Sequence, residues 1–224
     1  MRAVVLFDID GTLIRRAGPQ HRLALIDAIR DVTGFGTTFD GIDTSGRLDR
    51  DLIRLMLAHA GAPDDVAERS MPTIVHLAQR LYCARTVDLR RKVCPGVRVA
   101  LLRLQLARIP MGLVTGNLSA IGWRKMEASG LTKFFRFGAF AEQASTRAEL
   151  VEIAMRRARR SGWVRKETRV SLIGDHPNDI DAAKLNGVRS IAVATGVVPR
   201  TELALHRPDV LLPDLRCLKV ETVL

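Results

Sequence analysis

From Pro95-Gly96 onward, short continuous apolar runs alternate with segments of helical period, and that alternation restricts the chain to few folds. A helix is predicted from about Val97 to Ala107, then a strand ending Met111-Gly112-Leu113-Val114-Thr115. A second helix, from about Ser119 to Ala128, precedes an aromatic segment, Phe134-Phe135-Arg136-Phe137. The series continues with a helix from Arg147 to Arg159, a strand from Arg169 to Gly174 and a helix from Asn178 to Leu185. Strands at Ser190 to Ala194 and near Val210-Leu211-Leu212 complete it. Apolar runs of strand length, joined by helices, imply right-handed crossovers and a parallel sheet covered on both faces. The run from Ala3 to Asp8, ended by Gly11, reads as one more buried strand of that sheet.

Residues from about Gln20 to Arg85 break the pattern. Leu23, Leu25, Ile26 and Ile29 recur at helical spacing, as do Leu52, Ile53, Leu55, Met56 and Leu57, then Val75, Leu77, Ala78 and Leu81. Gly34, Gly36, Gly41, Gly46, Gly61 and Pro63 punctuate them. The expected architecture is therefore α/β: a Rossmann-like parallel-sheet core from residues 1–16 and 88–224, interrupted by an all-helical insert over 17–87. A chain of 224 residues is long enough for such a core and insert.

Composition narrows the function classes. At 47% hydrophobic and 26% charged, the chain is an ordinary globular one, and charges interrupt every stretch nearing bilayer length, so no membrane span is expected. The apolar run before Asp8 is too short for a signal-peptide core, which makes the cytoplasm the expected location. Cys83, Cys94 and Cys217 are odd in number and widely spaced, so buried structural thiols are expected rather than disulfides or a zinc site. A net charge of +11 would suit nucleic acid, but the arginines scatter along helices and aromatics are only 4%, so no nucleic-acid partner is expected. The Arg156-Arg157-Ala158-Arg159-Arg160 cluster falls at a helix end, where cations suit the helix dipole.

In open parallel sheets, ligands bind beyond the carboxyl ends of the strands, and three strand ends here are polar. The first reads Asp8-Ile9-Asp10-Gly11-Thr12. Two carboxylates this close repel each other, and a cation would relieve them; Asp-Gly is equally a common turn signal. The second, Thr115-Gly116-Asn117, offers a hydroxyl and backbone N–H groups to a phosphate, or a plain helix cap before Ser119. In the third, Gly174-Asp175-His176-Pro177-Asn178-Asp179, Asp175 and Asp179 are hard oxygen ligands suited to Mg²⁺, although Asp179 and Asp181 also suit a first helical turn.

These three segments, in this order and over essentially the whole chain, resemble the haloacid dehalogenase superfamily, in its phosphoglycolate phosphatase-like branch with a helical cap. The resemblance implies a Mg²⁺-dependent phosphatase in which Asp8 is the nucleophile and forms an aspartyl-phosphate. Asp10 would protonate the leaving alcohol and then activate water. Mg²⁺ would be held by Asp8, Asp175 and the backbone carbonyl of Asp10, with Asp179 in support. Thr115 would bind the transferring phosphoryl group, with Thr12, Gly116 and Asn117 also contacting substrate. The family usually places a Lys between the second and third motifs. Lys133 comes too early and Lys166 lies in the loop before the last acidic strand, so Arg147 is assigned that role. His176, where a small residue is frequent, is a second departure and reads as a loop residue. Within the insert, Thr44-Ser45-Gly46-Arg47-Leu48-Asp49-Arg50-Asp51 resembles the cap's substrate loop, often a Gly-basic-x-Asp sequence, with Arg47 as the contact to an anionic or hydroxylated leaving group; a loop before an Asp-capped helix reads equally well. The implied substrate is a small phosphorylated metabolite, such as a phosphorylated organic acid, and the implied assembly a monomer or homodimer. A phosphoglucomutase-like phosphotransferase keeps both Asp residues and is the alternative enzyme; the further alternative is a non-catalytic nucleic-acid-binding module.

Overall fold

The computed structural model describes residues 3–15 and 17–224. Met1, Arg2 and Arg16, which include both ends of the first expected core segment, lie outside the described residues. Strand β1 (Ala3–Phe7) is buried throughout. Its side chains divide by the strand period of two: Val4 and Leu6 join one apolar cluster, while Ala3, Val5 and Phe7 join another on the opposite face.

Three helices follow: α1 (Gln20–Thr33), α2 (Asp49–His59) and α3 (Asp64–Arg85). The chain then alternates through α4 (Val97–Leu106), β2 (Met111–Val114), α5 (Ser119–Ser129), β3 (Phe137–Ala139), α6 (Arg147–Arg160), β4 (Arg169–Gly174), α7 (Pro177–Leu185), β5 (Arg189–Val193), α8 (Arg200–Leu205) and β6 (Val210–Leu212). The six strands form one sheet, ordered β3-β2-β1-β4-β5-β6. Every neighbouring pair is parallel. This is the doubly wound order, and the α/β, Rossmann-like class read from the sequence is the one observed. The chain steps outward from β1 to β2 and β3, then returns to the other side through β4, β5 and β6. The reversal lies between β1 and β4, so a crevice opens past their carboxyl ends.

On one face α6 and α7 cover Val4, Leu6, Val114 and Leu172. The same cluster continues into the insert through Leu25, Ile29, Ile53, Met56 and Ile74, so the insert's core is continuous with that of the sheet. On the other face α4 buries Val97, Ala100, Leu101 and Leu104 against Val5, Phe7 and Ile173. Phe7 meets Phe135 edge to face, with centroids 5.9 Å apart.

Two elements escaped the periodicity argument, and both are short. Strand β3 holds only Phe137-Gly138-Ala139, with no β-branched residue, and helix α8 is a six-residue turn after Pro199. Of the three thiols expected to be buried, only Cys94 is; Cys83 is half-buried and Cys217 exposed. In the arginine cluster, Arg156, Arg159 and Arg160 are exposed, while Arg157 turns inward to donate to the Gly138 carbonyl and to Gln143 Oε1. No helix among the described residues is long and apolar enough to cross a membrane.

Leu6 is fully buried on the sheet face that α6 and α7 cover. Leu6→Ala should cost about 2–5 kcal/mol, read as a lower urea midpoint with an unchanged slope.

Candidate active site

Adjacent parallel strands bring their final residues to one level. Asp8 follows β1 and Asp175 follows β4, and the Asp8 N–H still donates to the Ile173 carbonyl at 2.9 Å. Asp8, Asp175 and Asp179, all buried, each offer an oxygen within 4.8 Å of the others. The approach is this close because Gly11, at φ 89°, passes over Asp175, where a Cβ would lie 2.1 Å from Oδ2.

Among the described residues, one guanidinium faces this cluster. Arg147, the first residue of α6, is positioned by Thr146, whose side chain caps the helix by accepting from the Glu149 N–H. Its Nη1 donates to Asp8 Oδ1 at 3.0 Å and lies 2.9 Å from Asp179 Oδ1. Asp179 also accepts from the His176 N–H at 3.2 Å, and Asp175 Oδ1 accepts from the Thr12 hydroxyl at 2.7 Å.

Among the described residues, three carboxylates meet one cation, which leaves an unbalanced buried charge. Burial first, then Asp179 and Asp10, raise Asp8 to about 6 against the opposing pull of Arg147. Burial pushes Asp175 well above the usual carboxylate range, with Asp8 and Asp179 adding repulsion, and Asp179 is also raised by burial. Such a donor set, hard oxygens with excess negative charge, fits a divalent cation.

Asp10, two residues along the chain, has the opposite surroundings. Burial would raise it too, but the Lys125 ammonium, His21 and the Asn117 amide hold it below the ordinary carboxylate value. Lys125 Nζ lies 2.8 and 2.6 Å from the two Asp10 oxygens, and Asn117 Nδ2 donates to Oδ2 at 2.7 Å. Asn117 also donates to the Thr115 hydroxyl at 2.6 Å, which places Thr115 beside the crevice at the end of β2.

A cavity of about 280 Å³ connects these groups with the insert. Asp8, Asp10, Thr115, Gly116, Asn117, Arg147 and Asp175 line it from the core, and Arg22, Phe39 and Arg47 are among those that line it from the insert. Arg47 is exposed and its Nε donates to the Asp43 carbonyl at 2.8 Å. Its own backbone presses on Gly116, where a Cβ would stand 2.3 Å from the Arg47 carbonyl oxygen.

Several expected residues stand differently from the sequence reading. Thr12, an expected substrate contact, is fully buried, and its hydroxyl donates to Asp175 Oδ1. Asp179 is in the acidic cluster itself, whereas the Asp10 side chain is drawn away toward Lys125. His176 is the N-cap of α7, its Nδ1 accepting from the Asn178 N–H at 3.1 Å.

Lys125 and His21 were missed. Lys125 sits among Ile121, Gly122, Met126 and Ser129 on the buried face of α5, and a lysine at an apolar helical position was the available signal. Nothing in the periodicity marked His21, because its partners come from 28 and 104 residues away.

Comparison with known proteins agrees with this geometry. The model of the haloacid dehalogenase-like hydrolase family matches residues 3–187, and the chain belongs to that family. Over 227 residues it is 26% identical to a phosphoglycolate phosphatase of Pseudomonas savastanoi pv. phaseolicola, covering 95% of this chain and 77% of the relative. Over 226 residues it is 24% identical to the phosphoglycolate phosphatase of Escherichia coli K12, covering 94% and 88%. Among solved structures, a β-phosphoglucomutase from Clostridium difficile superposes with TM-score 0.70 at 18% identity, covering 100% of this chain and 96% of the other. A phosphoglycolate phosphatase predicted in Haemophilus somnus 129pt gives TM-score 0.68 at 18% identity, covering 96% and 95%. At such identities the two structures speak for the fold alone.

The raised carboxylates give a test of the cation site that needs no substrate. A group raised in the folded state binds more protons there than when unfolded, so stability falls as pH rises from the unfolded value toward about 6. A divalent cation offsets the charge that ionisation creates. Mg²⁺ should therefore raise Tm more at about pH 7.5 than at about pH 5, by differential scanning fluorimetry. An equal or larger shift at the lower pH would count against the site.

Proposed function

We propose that this haloacid dehalogenase-type phosphatase hydrolyses a small phosphate monoester through an aspartyl-phosphate on Asp8, with Mg²⁺ as its cofactor. The observation that carries the reading is the separation of two neighbouring carboxylates: Asp8 in the acidic cluster beside Arg147, Asp10 on Lys125 at the cavity wall.

In the first step Asp8 attacks phosphorus, the P–O bond to the leaving group breaks, and Asp10, a carboxylate against Lys125 before substrate binds, gives the departing alkoxide oxygen a proton that it must take up with the substrate. In the second, Asp10, now a carboxylate, takes a proton from water as that water attacks phosphorus. The Asp8–phosphorus bond breaks, and inorganic phosphate leaves with Asp8 regenerated. Arg147 lies against the nucleophile, where it neutralises charge and fixes the attacking oxygen. The Thr115 hydroxyl and the backbone N–H groups after β2 are placed to receive phosphoryl oxygens. Asp8, Asp175, Asp179 and the Asp10 carbonyl would hold Mg²⁺, which supplies charge neutralisation for phosphoryl transfer.

The helical segment 17–87 is read as a cap over the core of 1–16 and 88–224, excluding water and presenting Arg47 and Arg22 to the leaving group. The cavity's modest volume and its arginines favour a short, acidic leaving group. The named activity of the curated relatives, phosphoglycolate phosphatase, is the substrate reading that agrees with this.

A panel of phosphate monoesters assayed for phosphate release with Mg²⁺ tests the proposal, 2-phosphoglycolate being expected among the best substrates. Asp8→Asn should lower turnover on the order of a thousandfold or more on every ester, with the fold intact by circular dichroism. An Asp8→Asn variant that keeps wild-type rates would eliminate the mechanism. Faster transfer to sugar phosphates than to water would turn the reading to a phosphotransferase.

A further inference from the structure

A lysine ammonium has three donors and no acceptor, and it is almost never fully buried without partners for all three. Lys125 is 1% exposed. Its Nζ lies 2.8 and 2.6 Å from the two Asp10 oxygens, 2.6 Å from Asn117 Oδ1 and 3.2 Å from His21 Nδ1. One carboxylate, one amide and one imidazole therefore match the three donors. Because Nδ1 of His21 accepts from an ammonium, the histidine proton belongs on Nε2, which faces Asp49 Oδ2 at 3.0 Å. The chain of contacts thus has a defined direction, from the insert to the carboxylate in the cavity wall.

We propose that Lys125 is the positioning residue for the acid/base carboxylate of Asp10, and that His21 makes its hold depend on the seating of the helical insert. The inference rests on the reading of Asp10 given above.

Two features separate this role from simple charge neutralisation. The first is the distribution of bonds on Asp10. Oδ2 accepts from both Lys125 and Asn117, whereas among the described residues Oδ1 accepts only from Lys125. Oδ1 thus retains the capacity to meet a leaving-group oxygen or a water. The Asn117 amide that helps fix Asp10 also touches Thr115, so the proton carrier and the phosphoryl-facing hydroxyl share one anchor.

The second is the origin of the partners. Lys125, Asn117 and Asp10 belong to the core, but His21 opens α1 and Asp49 opens α2, both in the insert. Asp49, 2% exposed, accepts from the Leu118 N–H at 2.8 Å, and its own N–H donates to the Gly116 carbonyl at 2.8 Å. The insert is thereby bonded to the loop from β2 to α5, and His21 is presented to Lys125 only in that seated arrangement. When the insert lifts, Lys125 loses its third acceptor, and the geometry that holds Asp10 is relaxed.

A proton donor matters more for a poor leaving group than for a good one. The test is rapid-quench measurement of first-turnover leaving-group release from p-nitrophenyl phosphate and from 2-phosphoglycolate. It compares wild type, Asp10→Asn, Lys125→Met, His21→Gln and the double variant Asp10→Asn/Lys125→Met.

Lys125→Met should slow release from the alkyl ester about tenfold to a hundredfold more than from the aryl ester, as Asp10→Asn does, with the loss in kcat rather than KM. His21→Gln should show the same asymmetry at smaller size. Lys125→Met should add nothing in the Asp10→Asn background, where the unpaired carboxylate is also gone. If Lys125→Met alone does not fold, His21→Gln and the double variant against Asp10→Asn carry the measurement. Equal slowing of both esters by Lys125→Met, with Asp10→Asn still discriminating between them, would overturn the positioning role alone. No discrimination by Asp10→Asn would remove the acid/base reading of Asp10 and this inference with it.

Discussion

Convergence of buried carboxylates on too little positive charge is the constraint that organises this molecule. Strands β1 and β4 are adjacent and parallel, so Asp8 and Asp175 must end at the same level, and the first turn of α7 adds Asp179. Arg147 is the guanidinium that touches the group, reaching it because α6 begins at the same end of the sheet. The remainder of the compensation is dispersed among small donors: the Thr12 hydroxyl on Asp175 and the His176 N–H on Asp179. None of these carries a full charge, which is why burial still dominates at Asp8 and Asp175.

The same strand end solves a second problem in the opposite way. Asp8 and Asp10 are two residues apart, yet one is raised and the other lowered. Division of cations produces the difference. Arg147 arrives from the first turn of α6 with three carboxylates to serve, whereas Lys125 comes from α5 with Asp10 as its carboxylate partner. Two neighbouring carboxylates thus stand in opposite electrostatic surroundings, one crowded by other carboxylates and one held by an ammonium.

Much of this was legible in the sequence, for reasons that can be named. Strand β4 spans the predicted Arg169 to Gly174, because a run buried on both faces is continuously apolar. The ends of β1, β2 and β4 stood out because polar residues interrupt such runs abruptly, and the ordered set Asp8-x-Asp10, Thr115-Gly116-Asn117 and Asp175 pointed to one crevice. Arg147 was selected by its place at a helix start, and the structure brings it to Asp8. Whatever depended on side-chain direction was not legible. Thr12 sits one residue after Gly11, and its spacing could not reveal that it turns to Asp175 rather than outward. Lys125 was given no role, although its helical neighbours Ile121, Gly122 and Met126 are all buried. His21 meets the core only through tertiary contacts, and local pattern is silent on those.

Helix α5 starts at Ser119 without a side-chain cap from its own N-cap residue, Leu118. Its first N–H groups are satisfied from elsewhere: Leu118 by Asp49, Ser119 by Glu142 and Ala120 by Gln79. Two of those three acceptors, Asp49 and Gln79, stand on helices α2 and α3 of the insert. In space, therefore, the frontier between insert and core runs through the beginning of a core helix and not through the linkers that mark it in the chain. An exchange of the insert for another of similar outline would preserve the linkers and still leave that helix beginning with bare amides. Kinship among inserts of this kind is better traced by which residues finish α5 than by overall shape.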